Sequence, residues 1–376
     1  MNTRHSVVWA ILRPPVRLFL KLKFGYTCTV AKDLPENYIV LSNHVTDYDP
    51  LLVGASFPRQ MYFVASEHIG RWGLASKLLD FGFAPILRKK GMNAAAAIVD
   101  VLRKLKKGAN VCMFAEGVRT WDGVTCPITE TTGQLVKRAG CAMVTYKIKG
   151  GYFLSPGWCS GTRRGWCHGA VKAVYTKEQL AAMSVDEVNE IIRRDLHEDA
   201  YARQLADPKP YRGRALAESF ENLLYICPKC GAYDTIRTAG SRITCTACDL
   251  SAALDEFGRL SGMPHETVRE LAAWQREQTA KAAAAAGTVY SVPEATLRCV
   301  GEDGTREVAS GVLALSREAF SCGDFRVPTA SLSGLALHGR RSLVFAVDRD
   351  YYELYIPEGR SILKFVELYS QISKEE

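Results

Sequence analysis

Short apolar runs alternate with amphipathic stretches through the first half of the chain. Strands are predicted at five runs rich in β-branched and aromatic residues: 38–41, 60–65, 84–87, 111–114 and 143–148. Amphipathic helices are predicted between or after them, over residues 69–80, 92–107, 129–139 and 184–205. This alternation predicts an α/β layered domain with a largely parallel sheet over residues 26–212.

The second half has a different pattern. A linking helix is predicted over residues 264–287, and strands follow at short spacing: 295–300, 307–315, 331–337, 342–347 and 351–356. A final amphipathic helix begins near Ile362. We therefore predict a small, mainly β domain over residues 288–376. Several antiparallel strands closed by one helix resemble a pleckstrin-homology fold in topology, and a β-roll that docks on its own enzyme fits equally well.

Residues 1–25 combine cations with apolar and aromatic side chains. The five basic residues are not accompanied by any acidic residue: Arg4, Arg13, Arg17, Lys21 and Lys23. Pro14-Pro15 and the recurring charges interrupt any apolar run of the ~20 residues that would cross a bilayer. The pattern is typical of a segment that lies in an anionic membrane interface with its Trp and Phe rings at the acyl boundary. A helix packed on the protein's own surface is the alternative.

Composition and charge restrict the number of domains, the kind of partner and the cellular compartment. With 376 residues, 47% hydrophobic and 23% charged, the chain is long enough for two or three globular domains. The net charge of +8 favours an anionic partner such as phospholipid, nucleotide or nucleic acid, and does not choose among them. The 12 cysteines do not have the spacing of a disulfide framework, and no cleavable signal is recognisable, so we expect the cytoplasmic side of a membrane with peripheral attachment.

Candidate chemistry begins directly after the first predicted strand. His44 follows the strand, and Asp49-Pro50 has the form of a helix start. The turn between them can fold Asp49 back onto the imidazole, giving a base with an orienting carboxylate. No serine nucleophile accompanies the pair, so the nucleophile would be a hydroxyl of the substrate.

Two more strand ends carry charged residues. Arg88 follows one apolar run, and another is followed by Glu116, Gly117, Arg119 and Thr120. Functional groups of parallel sheets gather where strands end, and two guanidinium groups in one crevice can clamp a phosphate.

Three motifs together resemble the glycerolipid acyltransferases, a family that includes lysophosphatidate and glycerol-3-phosphate acyltransferases. They are Asn43-His44-x4-Asp49, Gly82-Phe83-x-x-Ile86-x-Arg88 and Phe114-x-Glu116-Gly117-x-Arg119-Thr120. The resemblance implies that His44 is the catalytic base and that Asp49 supports it. It also implies an acyl-CoA or acyl carrier protein donor, a lysophospholipid acceptor, and six substrate-binding residues: Asn43, Arg88, Glu116, Gly117, Arg119 and Thr120.

The chain departs from this family pattern in places. Ala115 stands where proline is usual, Val118 stands where threonine is usual, and the fourth block, at Val144-Thr145-Tyr146, lacks its proline. The departures affect the expected acceptor more than the chemistry, because His44 and Asp49 are intact.

Two Cys-x-x-Cys pairs lie in residues 220–260. Cys227 and Cys230 precede Cys245 and Cys248 with 14 residues between the pairs, a spacing that predicts a four-cysteine zinc ribbon with a structural zinc ion. Iron in the same cage and two redox dithiols are the alternatives. A closed four-thiolate site has no open position for catalysis. Nucleic-acid binding is disfavoured, because only the charge and the ribbon support it.

The sequence therefore predicts a membrane-associated O-acyltransferase of phospholipid biosynthesis that moves a fatty acyl group from a thioester to a glycerol hydroxyl of a lysophospholipid, with lysophosphatidate favoured. The alternative is a catalytically inactive zinc-ribbon adaptor that binds lipid or acyl thioester.

Overall fold

The computed structural model describes residues 3–66, 69, 73–88, 95–285, 287–301 and 304–373. The chain forms two compact units. The first consists of Met1–Lys89, Ala94–Gly157 and Thr162–Gly213, and the second consists of Lys90–Asn93, Trp158–Gly161 and Arg214–Glu376.

The first unit is built on a seven-stranded sheet. Its strands are β1 (Tyr26–Cys28), β2 (Tyr38–Ser42), β3 (Met61–Ser66), β4 (Ile86–Arg88), β5 (Asn110–Phe114), β6 (Ala142–Lys149) and β7 (Cys167–Tyr175), in the order β1-β7-β6-β2-β5-β3-β4. β2 is parallel to both of its neighbours, β5 and β6, whereas β7 runs antiparallel to β6. Every residue of β2 is buried, as its continuous apolar run predicts for a central parallel strand.

Nine helices are described in this unit: α1 (Thr3–Phe24), α2 (Asp49–Ser56), α3 (Leu74–Phe83), α4 (Ala95–Lys106), α5 (Thr131–Ala139), α6 (Gly151–Leu154), α7 (Lys177–Ala182), α8 (Val185–Leu196) and α9 (Ala200–Ala206). The α/β prediction is confirmed. The single helix predicted over 184–205 is wrong, because the chain leaves the helix at His197 and Asp199 caps a new one by accepting the Ala202 N–H at 2.9 Å.

The N-terminal helix packs into the first unit through its aromatic residues. Trp9 is only 6% exposed, and its indole N–H donates to the Phe57 carbonyl at 2.9 Å. Leu20 and Phe24 are buried as well. The interpretation of Trp9 and Phe24 as membrane anchors is therefore wrong, because both rings belong to the core.

The second unit contains two antiparallel sheets. A four-stranded sheet is formed by β8 (Ile236–Ala239), β9 (Arg242–Cys245), β10 (Ser251–Leu254) and β11 (Leu260–Ser261). Helix α10 (Val268–Ala284) follows, with Thr267 and Glu270 forming a capping box at its start. The second sheet has seven strands: β12 (Tyr290–Gly301), β13 (Gly304–Leu315), β14 (Ala319–Cys322), β15 (Phe325–Pro328), β16 (Leu332–His338), β17 (Ser342–Val347) and β18 (Asp350–Tyr355). Their order in the sheet is β15-β14-β13-β12-β18-β17-β16. Helix α11 (Leu363–Ile372) is the last described element.

The antiparallel C-terminal region is confirmed, with two strands more than the sequence predicted. β14 and β15 are four residues each, too short for a hydrophobic period to be recognised. The pleckstrin-homology resemblance and the predicted domain boundaries stay predictions.

A buried ion pair connects distant parts of the second unit. Lys364 of α11 contacts the Asp234 carboxylate, just before β8, and also donates to the Ser291 carbonyl of β12 at 2.8 Å. Both side chains are less than a tenth exposed. A pair buried this deeply is costly to break, because removing one partner leaves the other charge uncompensated.

Candidate active site and metal centre

The loop between β2 and α2 brings the predicted base and its carboxylate together. His44 Nδ1 lies 2.7 Å from Asp49 Oδ2, with the His44 side chain 21% exposed and Asp49 completely buried. The short distance assigns the Nδ1 proton to the hydrogen bond with Asp49, which leaves Nε2 as the proton acceptor of the ring.

Asp49 is fixed by the turn that contains it. Its carboxylate accepts the Val45 N–H at 2.6 Å, and it accepts both the N–H and the hydroxyl of Thr46 at 3.0–3.1 Å. These donors compensate the buried negative charge and aim one oxygen at His44. On its other side the imidazole stacks on Phe114 at the end of β5, with ring centroids 4.5 Å apart.

Glu116 holds the backbone of the His44 loop, which we define as residues 43–48. One oxygen of Glu116 accepts the His44 N–H at 2.6 Å, and the other accepts the Cys126 N–H at 2.5 Å. Burial raises the pKa of this carboxyl to about 8, although the two backbone donors act in the opposite direction. The sequence assigned Glu116 to the substrate, whereas the structure turns both oxygens toward the protein backbone.

Asn43 and Thr120 also face the protein. Asn43 is buried and pairs both ends of its amide with the Ile148 backbone in β6, at 2.8 and 2.9 Å. The Thr120 hydroxyl accepts the Gly123 N–H at 3.0 Å and donates to Asp122, while its own N–H donates to the His44 carbonyl. That these two side chains contact substrate stays a prediction; in the structure their polar atoms bind the loops that carry His44.

The two arginines lie beside these loops. Gly117 has a φ of +69°, and a Cβ on it would lie 3.2 Å from Arg88 Nη1, so glycine allows the guanidinium to approach the backbone. Arg88 Nε is buried without a hydrogen-bond partner in the described part of the chain. Arg119 Nη1 donates to Asp47 Oδ2 at 2.8 Å.

Sequence reasoning missed Phe114 and Asp47 as site residues. Phe114 was assigned to a strand and quoted in a family motif without a role, because stacking on a ring of a distant loop leaves no local signal. Asp47 lies in the His44 loop, but its partner is 72 positions away. Helices α1, α2 and α3 and strand β3 also form an apolar groove of about 170 Å³, whose lining includes Trp9, Leu12, Val16, Leu51, Phe63 and Phe83.

The four predicted cysteine ligands of the second unit converge on one point. Their sulfur atoms all lie within 4.8 Å of one another, with Cys227 and Cys248 3.7 Å apart and Cys230 and Cys245 3.9 Å apart. A tetrahedron of thiolates around zinc at about 2.3 Å has sulfur–sulfur edges of about 3.8 Å. The separations far exceed a disulfide bond of about 2.05 Å. The cluster therefore fits a tetrahedral metal ion better than paired cystines.

Neighbouring hydrogen bonds change the pKa of one of these cysteine thiols. The Ala247 N–H donates to Cys245 Sγ at 3.3 Å. Burial would raise the pKa of the Cys245 thiol, but its hydrogen bonds with Thr235, Ala247, Cys227 and Cys248 together outweigh burial and lower that pKa to about 6. Burial raises the pKa of the Cys227 thiol. A thiolate is the form that binds metal, so the donor set and its surroundings suit a structural zinc ion.

Part of the chain is similar to a known protein family and to a solved structure. Curated protein sequences give no match. Among solved structures, the chain is similar to the 1-acyl-sn-glycerophosphate acyltransferase of Thermotoga maritima, with 17% identity, a TM-score of 0.43, and coverage of 55% of this chain and 85% of that one. Residues 26–149 match the family model described as acyltransferase. The match includes all eight predicted residues of the candidate active site and confirms the family resemblance. Residues 26–149, about a third of the chain, are therefore similar to the acyltransferase family.

Proposed function

We propose that the protein is an O-acyltransferase that moves a fatty acyl group from a thioester to a glycerol hydroxyl of a lysophospholipid, with lysophosphatidate as the favoured acceptor. The observation that carries the proposal is the 2.7 Å contact between His44 Nδ1 and the buried Asp49 carboxylate. A histidine oriented in this way, without a protein nucleophile, suits deprotonation of a substrate hydroxyl.

The reaction needs one base and balances without a covalent enzyme intermediate. His44 Nε2 takes the proton of the acceptor hydroxyl as that oxygen attacks the thioester carbonyl. Asp49 stabilises the imidazolium that results. Collapse of the tetrahedral intermediate breaks the carbon–sulfur bond, and the leaving thiolate takes the proton from His44. The products are the ester and the free thiol of coenzyme A or acyl carrier protein.

The acceptor phosphate has candidate partners in Arg88 and Arg119. Arg88 is the last residue of β4, and Arg119 lies in the loop after β5; within the described residues, the buried Arg88 Nε has no hydrogen-bond acceptor. Glu116, Asn43 and Thr120 take positioning roles in this proposal, because their polar atoms bind the loop backbones.

The acyl chain has a candidate place in the apolar groove. Pro50 and Leu51, which follow Asp49 directly at the start of α2, form part of its lining. An apolar cleft beside the base would bury methylene groups at about 0.8 kcal/mol each.

We also propose that α1 and α3 face a membrane. Apolar residues on them are each more than half exposed, including Ile11, Leu18, Leu22, Leu74 and Leu78. The basic residues of α1 would add attraction to an anionic leaflet. Among the described residues, no helix is long and apolar enough to cross a bilayer.

Vesicle binding tests this surface. Deleting α1 would also remove the buried Trp9, Leu20 and Phe24, so the sharper change is the triple variant Ile11→Ser, Leu18→Ser and Leu22→Ser. It should keep its thermal stability and bind vesicles of phosphatidylcholine and phosphatidylglycerol more weakly. Leu205→Ser, which changes an exposed leucine of α9, is the control and should bind as wild type does. Equal binding by the triple variant would exclude this surface.

Acyl transfer itself is tested by thioester consumption. Purified protein with acyl-CoA or acyl carrier protein thioester should release thiol when lysophosphatidate or glycerol 3-phosphate is added, and the product should be the corresponding ester by mass spectrometry. Binding of lipid or thioester without turnover would instead support the inactive adaptor.

A further inference from the structure

The ion pair between Asp47 and Arg119 joins two loops at the candidate active site. Asp47 lies three positions after His44, and Arg119 follows Glu116 in the loop after β5. The contact is 2.8 Å, and the two partners differ in exposure, with 13% of the Arg119 side chain exposed against 66% of that of Asp47. The arginine is therefore largely enclosed, whereas the carboxylate reaches it from the solvent side.

The partner of Arg119 has the same chemistry as a phosphate. A guanidinium fork binds carboxylate and phosphate oxygens through the same N–H groups. An ion pair with an exposed member is weak, because water and salt compete for the carboxylate. A phosphate that enters the crevice can thus replace Asp47 without leaving Arg119 uncompensated.

Arg88 differs from Arg119 in its hydrogen bonds. Its Nε is buried with no hydrogen-bond partner in the described residues, and its Nη1 lies close to Gly117, two positions before Arg119. The two arginines at this loop are therefore in different states, one already holding an anion and one with an unsatisfied donor.

We propose that Asp47 is an internal counter-anion that occupies Arg119 in the free protein and is displaced by the phosphate of the acceptor. This inference rests on the proposed acyl transfer and concerns the specificity of the same site. Asp47 compensates the enclosed cation when no substrate is bound. It also lowers the affinity for every phosphate-bearing acceptor while leaving neutral acceptors, such as a monoacylglycerol, unaffected.

Replacing the carboxylate with its amide isolates this competition. In Asp47→Asn, the KM for lysophosphatidate and the Kd for inorganic phosphate measured by titration calorimetry should both fall about two- to fivefold, the range that matches an exposed ion pair. The KM for monoacylglycerol, which has no phosphate, should change less than the KM for lysophosphatidate. Asp100→Asn changes the net charge equally at an exposed position of α4, and it should leave all of these quantities unchanged.

A second variant keeps the result specific to Arg119. In the background of Arg119→Lys, which lacks the planar fork, Asp47→Asn should no longer tighten phosphate binding. An unchanged or weaker phosphate affinity in Asp47→Asn would overturn the proposal, and so would an equal gain in Asp100→Asn. Tighter phosphate binding in a protein without acyl transfer would uphold the counter-anion and reject the proposed function. Acyl transfer without the change in phosphate binding would uphold the proposed function and reject the counter-anion.

Discussion

The His44 loop and the cysteine cluster are both short motifs, but they are held in place in different ways. The four cysteines lie within residues 227–248, and their knuckles are stabilised by neighbouring bonds such as Gly231 N–H to the Cys227 carbonyl at 2.9 Å. The His44 loop depends on residues far along the chain. Glu116 binds the His44 N–H from 72 positions away, and Asn43 is tied to Ile148 from 105 positions away.

This difference has a physical consequence. A local cage can be specified by spacing and turn chemistry, because its ligands meet whenever the hairpins form. A base at the end of a central strand is positioned only when the whole sheet is assembled. We therefore expect substitutions in the two regions to affect different quantities.

The largest expected effect is on catalysis, in His44→Ala. Loss of the general base should reduce acyl transfer about 10²–10⁴-fold. Thermal stability should change little, because the His44 side chain is partly exposed and Asp49 keeps its bonds to Val45 and Thr46. The measurements are kcat with a thioester donor and a melting curve. Retained turnover in this variant would refute the assigned base.

The second effect is on metal content and folding, in Cys230→Ser. Purified wild-type protein should contain about one zinc ion per chain, and loss of one thiolate should remove it. Residues 225–255 should then exchange amide hydrogens faster. The Asp234–Lys364 pair should weaken with them, because Asp234 lies in that segment. Cys299→Ser, outside the cluster, is the control and should retain zinc. Metal analysis that finds iron or no metal in wild type would reject zinc.

The third effect is on the support of the His44 loop, in Asn43→Ala. The variant leaves the N–H and the C=O of Ile148 without their partner, at a cost of about 1–3 kcal/mol for each unsatisfied group. Denaturant unfolding should show the loss, with a decrease in kcat smaller than that of His44→Ala. Asn37→Ala removes a single bond to Ala109 at the other end of β2, and it should cost less and spare kcat. Equal losses in both variants would mean that the tie to β6 is not special.

The fourth expected effect is a change of stability with pH, caused by Glu116. Its pKa in the folded protein is raised to about 8, above its ordinary value of 4.5, so folding favours the protonated carboxyl. Its contribution to stability is complete below about pH 4.5 and is lost as the pH rises to 8, with a slope of at most about 1.4 kcal/mol per pH unit. The difference in unfolding free energy between wild type and Glu116→Gln should therefore fall over this interval. A constant difference would show that Glu116 does not titrate there.

The sequence by itself determined the structural features that depend on residues close together in the chain. The alternation of strands and helices, the four-cysteine cluster and the pairing of His44 with Asp49 follow from periodicity, spacing and a single turn. The family match over residues 26–149 includes both His44 and Asp49.

The tertiary structure decided which polar groups face the protein. Asn43 belongs to the same motif as His44, and Glu116 and Thr120 belong to the motif that begins at Phe114. Most of their partners are nevertheless backbone groups, several of them on other strands and loops. Trp9 is apolar enough for a membrane interface, but its ring packs on Phe63 and Phe83, and its indole N–H donates to the Phe57 carbonyl. The role of Asp47 depends on its ion pair with Arg119, which lies 72 positions away. Side-chain direction depends on these distant partners because a buried polar atom must find a hydrogen bond, and only the assembled sheet brings that partner within reach.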